Sequence, residues 1–293
     1  MTQFDAIVRD IESHTQHSLT PYQLSPIDGG SINEAYHLQS GEHAYFIKVN
    51  QVHLSTMFEA ESLGMSALRS LNCIRIPEVI CYGQTEDHSY LALEYIELSP
   101  LRGRASKTLG TQLAQLHHVS HSFFGWHCDN TIGSTPQYNN REHNWCTFWQ
   151  QHRLQAQLTI AAKQGYMGAL QTQGQRLIEK LPAFFDSYSP KASLLHGDLW
   201  SGNAAADPHG NPVIFDPACY YGDSETDIAM TELFGGFDRD FYTAYQAEHP
   251  LDKGYKTRKT LYNLYHIINH LNLFGPSYLS QAETMIKQLL TEV

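Results

Sequence analysis

Short apolar and β-favouring stretches dominate the first part of the chain. Residues 34–38 and 43–49 are two such stretches on either side of a turn, which predicts a pair of strands. A third strand pattern starts near Pro77, and a fourth covers residues 89–96. We therefore predict a β-rich region that ends near residue 95.

One long helix interrupts these strands, and helices dominate the rest of the chain. Residues 56–71 carry apolar side chains at helical spacing, and Glu61 lies inside that apolar stripe. From residue 104 onward the pattern is mainly helical, with a clear amphipathic stretch at 259–274. The pattern therefore predicts a mainly helical second part.

Two stretches rich in turn formers interrupt the helical part. Residues 121–143 are long for an unstructured connection, which makes them a candidate functional loop. Residues 192–222 contain the strand-like segments SLLHG and PVIFD with polar turns between them. Catalytic residues are commonly held on loops of this kind.

Charge and composition argue against several kinds of partner. Nineteen basic and thirty acidic residues give a formal net charge of −11, which disfavours nucleic acid as a partner. The chain has no run of about eighteen apolar residues, so we expect no membrane-spanning segment and no membrane partner. The five cysteines are scattered and include no C-x2-C pair, which favours free thiols in a cytoplasmic protein over a zinc site.

The strongest chemical signal is the segment HGDLWSGN, which is followed closely by FDP. Asp198 and Asn203 stand five positions apart in the first segment, and Asp216 follows the asparagine by thirteen positions. Phosphoryl transfer needs a carboxylate that accepts the hydroxyl proton and oxygen ligands that hold magnesium on the nucleotide. The pattern predicts a kinase that uses ATP and Mg²⁺, with Asp198 as catalytic base and Asn203 and Asp216 as metal ligands. The plain alternative is a polar turn between two strands.

A kinase also needs a phosphate loop, a lysine on a following strand and a helix glutamate that holds this lysine. The segment DGGSIN provides a glycine-containing loop, since glycine lets backbone N–H groups approach phosphate. Its predicted ATP contacts are Gly29, Gly30, Ser31 and Asn33. Lys48 is a lone lysine in an apolar strand, and Glu61 lies on the helix stripe that faces the sheet, whereas Glu59 lies off it. We predict an ion pair between Lys48 and Glu61.

The strand that ends at residue 96 lies where a hinge between two lobes would bind adenine through its backbone. Its predicted ATP contacts are Glu94, Tyr95 and Ile96. We therefore predict an α+β, bilobal protein-kinase-like fold. A β-rich N-lobe of residues 1–97 would position the nucleotide, and a mainly helical C-lobe of residues 98–293 would carry the catalytic loop, the metal and the substrate.

The chain resembles the fructosamine kinase, or ketosamine-3-kinase, family within the aminoglycoside and choline kinase group. The resemblance covers nearly the whole chain and rests on HGDLWSGN, FDPACYYGDSETDIAM, LFGGFDRDFYTAY and GWHCDNTIGSTPQYNN. It implies phosphorylation of the 3-hydroxyl of sugars attached to free amines or protein lysines, after which the sugar is lost spontaneously. Many relatives carry a cysteine where this chain has Ser31, so the resemblance does not imply a redox-linked dimer through that loop, and the oligomeric state stays open.

Several residues are candidates for the substrate site. Trp200, beside the predicted base, is expected either to stack on the sugar or to anchor its own loop. His196 is a second candidate, and Asp223 and Glu225 are candidate contacts of the cationic amine. Asp227 resembles a helix-start residue of the family and is expected to be structural.

Two other functions are open at this point. One is a kinase for another polyol or amine, such as an aminoglycoside or choline, and the other is a non-catalytic nucleotide-binding scaffold. The complete set of kinase residues disfavours the scaffold.

Overall fold

The first part of the protein is a five-stranded antiparallel sheet flanked by two helices. The computed structural model describes residues 3–28 and 32–293, so Gly29, Gly30 and Ser31 of the predicted phosphate loop lie outside the described residues. The strands are arranged in the order β1-β2-β3-β5-β4. These elements are α1 (Gln3–Thr15), β1 (Gln23–Ile27), β2 (Glu34–Ser40), β3 (His43–Gln51), α2 (Ser55–Ser70), β4 (Val79–Gln84) and β5 (His88–Glu94).

The two helices cover opposite faces of this sheet, because successive residues of a strand point to opposite sides. Ile47 of β3 packs in an apolar cluster with Ile7 and Ile11 of α1. Leu91 of β5 packs instead with the buried side chains of α2 in the main core. Lys48, next to Ile47 in β3, therefore points toward α2.

The second part is mainly helical, and its strands are short. Its helices are α3 (Arg104–His117), α4 (Trp145–Trp149), α5 (Ala156–Lys163), α6 (Ala169–Lys180), α7 (Glu225–Thr231), α8 (Arg239–Glu248), α9 (Tyr255–Phe274) and α10 (Leu279–Leu290). Its strands are β6 (Ser99–Pro100), β7 (Ser120–His121), β8 (Asn130–Ile132), β9 (Thr135–Gln137), β10 (Ala192–Leu195), β11 (Ala204–Ala206), β12 (Pro212–Ile214) and β13 (Tyr220–Gly222). A π-helical turn, Gln150–Gln155, links α4 to α5.

The strands predicted between residues 192 and 222 form two small antiparallel sheets. β10 pairs with β13 and β7, and β11 pairs with β12 and β6. The HGDLWSGN segment connects β10 to β11, and Asp216 lies between β12 and β13. Both chemical motifs therefore lie on connections held at each end by paired strands.

The apolar faces predicted for the helices are buried. Leu261, Leu264, Ile267 and Leu271 of α9 lie in the main core, which confirms the amphipathic pattern at 259–274. All five cysteines are free thiols. Within the described parts of the chain, no helix has both the length and the apolar character needed to cross a membrane.

The arrangement is the predicted α+β bilobal fold, with a β-rich lobe before a mainly helical one. β5 ends at Glu94, and β6 at Ser99–Pro100 already pairs with β11 of the second part. The boundary between residues 97 and 98 stays a prediction.

Candidate active site

A cavity of about 830 Å³ lies between the sheet of the first part and the helices of the second. Seven of the predicted site residues line it: Asn33, Lys48, Glu61, Asp198, Trp200, Asn203 and Asp216. They come from sequence positions as far apart as the phosphate loop and the connection after β12. The fold thus gathers seven of the thirteen predicted site residues that the structure describes in one place.

Lys48 forms the link between the two lobes at this cavity. Its Nζ donates to Glu61 Oε1 at 2.6 Å and to Asp216 Oδ1 at 2.7 Å. Burial disfavours the ammonium charge, but the carboxylates of Asp216 and Glu61 outweigh it, and the pKa of Lys48 is raised. Lys48 is therefore a fixed positive charge, as a phosphate-binding lysine must be.

The pairing of Lys48 with Glu61 can be tested by a double-mutant cycle of Lys48→Met and Glu61→Gln. We expect the losses in kcat/KM to be strongly non-additive, with a coupling of about 0.5–3 kcal/mol, because each change removes the same contact. Steady-state kinetics of the four proteins measure this coupling. Glu59→Gln, on the exposed side of the same helix, is the matched control and should combine additively with Lys48→Met. Additive losses for the first pair would exclude Glu61 as the functional partner.

Asp198 and Asn203 contact each other within the HGDLWSGN loop. Asn203 Nδ2 donates to the backbone oxygen of Asp198 at 2.8 Å and to its Oδ2 at 3.3 Å. Removal from water and the nearby charge of Asp216 raise the pKa of Asp198 to about 7. A carboxylate with such a pKa suits proton transfer near neutral pH.

Asp227 fixes the backbone of the catalytic loop. Its Oδ2 accepts from the N–H of His196 and its Oδ1 from the N–H of Gly197, both at 2.8 Å. Gly197 has a φ of +83°, and a side chain there would collide with the carbonyl oxygen of Ala218. The structure thus gives Asp227 the structural place expected from the sequence.

Asp216 combines an exposed carboxylate with an unusual backbone conformation. Its φ is +58°, in the left-handed region that few side chains adopt. Asn203 uses Nδ2 for its contacts to Asp198, which leaves Oδ1 as a ligand atom, and Asp216 supplies carboxylate oxygens beside it in the cavity wall. Hard oxygen ligands of this kind fit Mg²⁺.

The end of the phosphate loop is tied to the sheet. Asn50 Nδ2 donates to the backbone oxygen of Ile32 at 3.1 Å and to Asn33 Oδ1 at 2.7 Å. Asn33 itself faces the cavity. No sequence motif identifies Asn50 as a residue that supports this loop, because its position beside the loop follows from strand pairing.

The predicted hinge residues lie at the end of β5 and directly after it, and they do not line the cavity. The N–H of Glu94 donates to the Glu78 carbonyl, and its carboxylate pairs with Arg75. The ring of Tyr95 stacks on His37, with ring centroids 4.0 Å apart. The remaining backbone groups between Glu94 and Ile96 are the ones that the predicted adenine contact would use.

Trp200 and His196 differ in their access to a substrate. Trp200 is exposed at the cavity wall, and its ring meets the edge of Phe234. His196 is fully buried, and its Nε2 donates to the Phe215 carbonyl at 3.0 Å. His196 therefore supports the loop from behind, and the structure does not bring it to the cavity.

The prediction that Asp223 and Glu225 contact the substrate disagrees with their positions. Both are 1% exposed and neither lines the cavity. Asp223 accepts from the hydroxyl groups of Tyr188 and Tyr262, and Glu225 forms a two-point ion pair with Arg258. The prediction considered charge alone, whereas both carboxylates form hydrogen bonds or ion pairs with buried partners inside the protein.

The wall opposite the sheet contains residues that the sequence did not single out. His266, Asn269 and His270 of α9 line the cavity, next to Phe234 and Phe274. They lie on the polar edge of a helix that was interpreted only by its apolar face. Helical spacing alone does not distinguish such an edge from a solvent-exposed one.

The chain is similar to known proteins over nearly its whole length. A family model described as fructosamine kinase matches residues 3–292. The chain is 43% identical over 288 residues to a probable ketoamine kinase of Synechocystis, covering 98% of this chain and 97% of the relative. It is 40% identical over 271 residues to a chloroplastic protein-ribulosamine 3-kinase of Arabidopsis thaliana, covering 92% of this chain and 82% of the relative.

A solved structure shows the same fold. The crystal structure of a candidate fructosamine-3-kinase from Haemophilus somnus matches with a TM-score of 0.90 at 28% sequence identity. The match covers 97% of this chain and 96% of that one. The similarity therefore extends through both lobes.

Proposed function

This chain belongs to the fructosamine kinase family, and on that premise we propose that it phosphorylates the 3-hydroxyl of ketosamines, which are sugar adducts of amines or protein lysines, with ATP as donor. The observation that most supports this proposal is the meeting of Lys48, Asp198 and Asp216 at one cavity. Loss of the phosphorylated sugar from the amine would make the activity a deglycation step.

Each polar group of the cavity has a distinct role in this proposal. Asp198 accepts the proton of the attacking hydroxyl, and Lys48, held by Glu61, orients the nucleotide phosphates. Asn203 and Asp216 hold magnesium, which when bound neutralises charge on the phosphate oxygens. The adenine would meet the backbone near residues 94–96, at a hinge between lobes divided at residues 97 and 98.

The helical wall of the cavity suits a polar ligand with one apolar face. The buried Nδ1 of His266 has no hydrogen-bond partner among the described residues, and burial lowers the pKa of this histidine to about 3. A neutral imidazole can both donate to and accept from hydroxyl groups. Trp200 and Phe234 offer aromatic surface beside it, which suits the apolar face of a sugar.

Product analysis tests the function directly. With ATP and Mg²⁺, the purified protein should phosphorylate ribulosyl- or fructosyl-amines at the 3-hydroxyl and prefer them to aminoglycosides or choline. A site built for sugar hydroxyls rejects ligands that leave its polar groups unpaired. Position-resolved ³¹P and proton NMR should show phosphate on the 3-hydroxyl and then loss of the sugar. Efficient turnover of an aminoglycoside or choline, with none of any ketosamine, would overturn the substrate assignment and leave the kinase assignment intact.

We also propose a cytoplasmic location. The five free thiols support it, because reduced cysteines are typical of that compartment. The negative net charge supports a glycated amine rather than nucleic acid as the binding partner.

A further inference from the structure

The GSTPQ segment, which lies within GWHCDNTIGSTPQYNN, is part of a short hairpin whose role phosphoryl transfer itself does not explain. β8 and β9 pair antiparallel, with Asn130 opposite Gln137. Gln137 is 1% exposed and does not line the cavity. Its buried amide therefore acts inside the protein.

The amides of this opposed pair bond to the backbone that follows Asp216. Gln137 Nε2 donates to the carbonyl of Ala218 at 3.1 Å, and Asn130 Nδ2 donates to the carbonyl of Cys219 at 2.9 Å. Gln137 Nε2 also donates to Asn130 Oδ1 at 2.9 Å. Two successive carbonyls, two and three residues after Asp216, are thus held by the hairpin.

The same backbone is held on its other side by the catalytic loop. The N–H of Ala218 donates to the His196 carbonyl at 2.8 Å. Asp216, which lies two residues before Ala218, has a left-handed φ of +58°. A non-glycine residue persists in such a conformation only where its surroundings determine it strongly. The contacts of Ala218 and Cys219 supply that constraint.

The direction of each amide is fixed by groups that can act in only one way. Arg153 has donors only, so its NH2 contact at 2.8 Å makes Asn139 Oδ1 the acceptor. Asn139 Nδ2 then donates to Asn130 Oδ1 at 2.9 Å, which turns Asn130 Nδ2 toward the Cys219 carbonyl. The carbonyl of Ala218 can only accept, so Gln137 must present Nε2 to it.

A helix of the second lobe, α9, also supports Gln137. The hydroxyl of Tyr265 in α9 donates to Gln137 Oε1 at 2.7 Å. Both ends of the amide are therefore bonded, and each bond is consistent with the other. A buried hydrogen-bond network around such an amide rigidifies its surroundings.

We propose that Gln137 is a positioning residue for magnesium: through Ala218, and together with Asn130, it holds Asp216 in the conformation that binds the metal. This inference rests on the proposed function, in which Asp216 is a metal ligand. It gives Gln137, which does not line the cavity, a role in metal affinity. Residues that orient metal ligands commonly change metal affinity by about 10–100-fold when they are replaced.

The test measures ADP binding by calorimetry at increasing Mg²⁺ concentration, with Mn²⁺ binding followed by electron paramagnetic resonance as a second readout. Gln137→Met should raise the Mg²⁺ concentration for half-maximal ADP binding by about tenfold or more, and weaken Mn²⁺ binding in parallel. Binding of ADP without metal should stay as in the parent. No sugar is required, so failure to turn over ketosamines leaves this test intact, whereas absence of any nucleotide binding would sink the proposed function itself.

The matched control is Gln171→Met. Gln171 also donates through Nε2 to two carbonyls, but its acceptors, Leu158 and Tyr166, neither line the cavity nor lie near Asp216 in the chain. The Gln171→Met variant should have a lower melting temperature than the parent but the same Mg²⁺ dependence of ADP binding. Equal Mg²⁺ dependence in Gln137→Met and the control would overturn the proposal. If Gln137→Met does not fold, Tyr265→Phe removes one hydroxyl only, and it should shift the Mg²⁺ dependence in the same direction; no shift would overturn the proposal equally.

Discussion

An Asp198→Asn variant should fold and bind ATP as the parent does, but its kcat should fall by ~10²–10⁴-fold. Asparagine keeps the size of the side chain and loses only the ability to accept the proton. Burial and the nearby charge of Asp216 both raise the pKa of Asp198, so removing this buried charge should not destabilise the protein. Single-turnover kinetics with a ketosamine, together with thermal unfolding, measure both effects.

The control for this variant is Asp186→Asn, which changes an exposed aspartate outside the cavity. Its kcat should match that of the parent. Turnover by Asp198→Asn within a factor of a few of the parent would show that another group accepts the proton, and the assignment of the whole loop would then be wrong.

Replacing Arg258 with methionine should lower the free energy of unfolding by about 3–5 kcal/mol. Arg258 is 3% exposed and pairs with Glu225 at 2.8 and 3.0 Å and with Asp252 at 2.6 Å. Its removal leaves the buried Glu225 carboxylate without its cation, and a buried unpaired charge is costly. Denaturant unfolding of the parent and the variant gives the difference.

The neighbouring residue of the same helix provides the control. Lys259 pairs with Glu232 at 2.6 Å, but both side chains are about one-third exposed. Lys259→Met should therefore cost at most about 1 kcal/mol.

Glu225→Gln should change stability and leave the KM for ketosamine unaltered. A raised KM with unchanged stability would restore Glu225 as a substrate contact.

The chemistry of the site was predictable where it is local in sequence. Asp198 and Asn203 are five positions apart, so one tight loop brings them together wherever it lies in the fold. Predicting the contact between Lys48 and Glu61 required a strand and a helix to be predicted first. The sides on which these elements face each other could then be inferred from their apolar residues. The structure places that pair in contact at 2.6 Å.

Prediction failed where burial decides the role of a charge. Asp223 and Glu225 closely follow Asp216, the predicted metal ligand, and their sequence positions do not indicate that Arg258 and two tyrosines enclose them. Gln137 was equally hidden, because its contact with Ala218 joins residues 81 positions apart. Long-range partners of this kind depend on packing, which a single sequence does not reveal.

Four of the five free thiols of this protein have a raised pKa. Burial raises the pKa of Cys81, Cys128, Cys146 and Cys219, that of Cys146 to about 11. Because the thiolate is the form that attacks disulfides, alkylating reagents and peroxides, these four side chains are poor nucleophiles at neutral pH. We therefore expect four of the five thiols to react slowly with such reagents while the protein is folded.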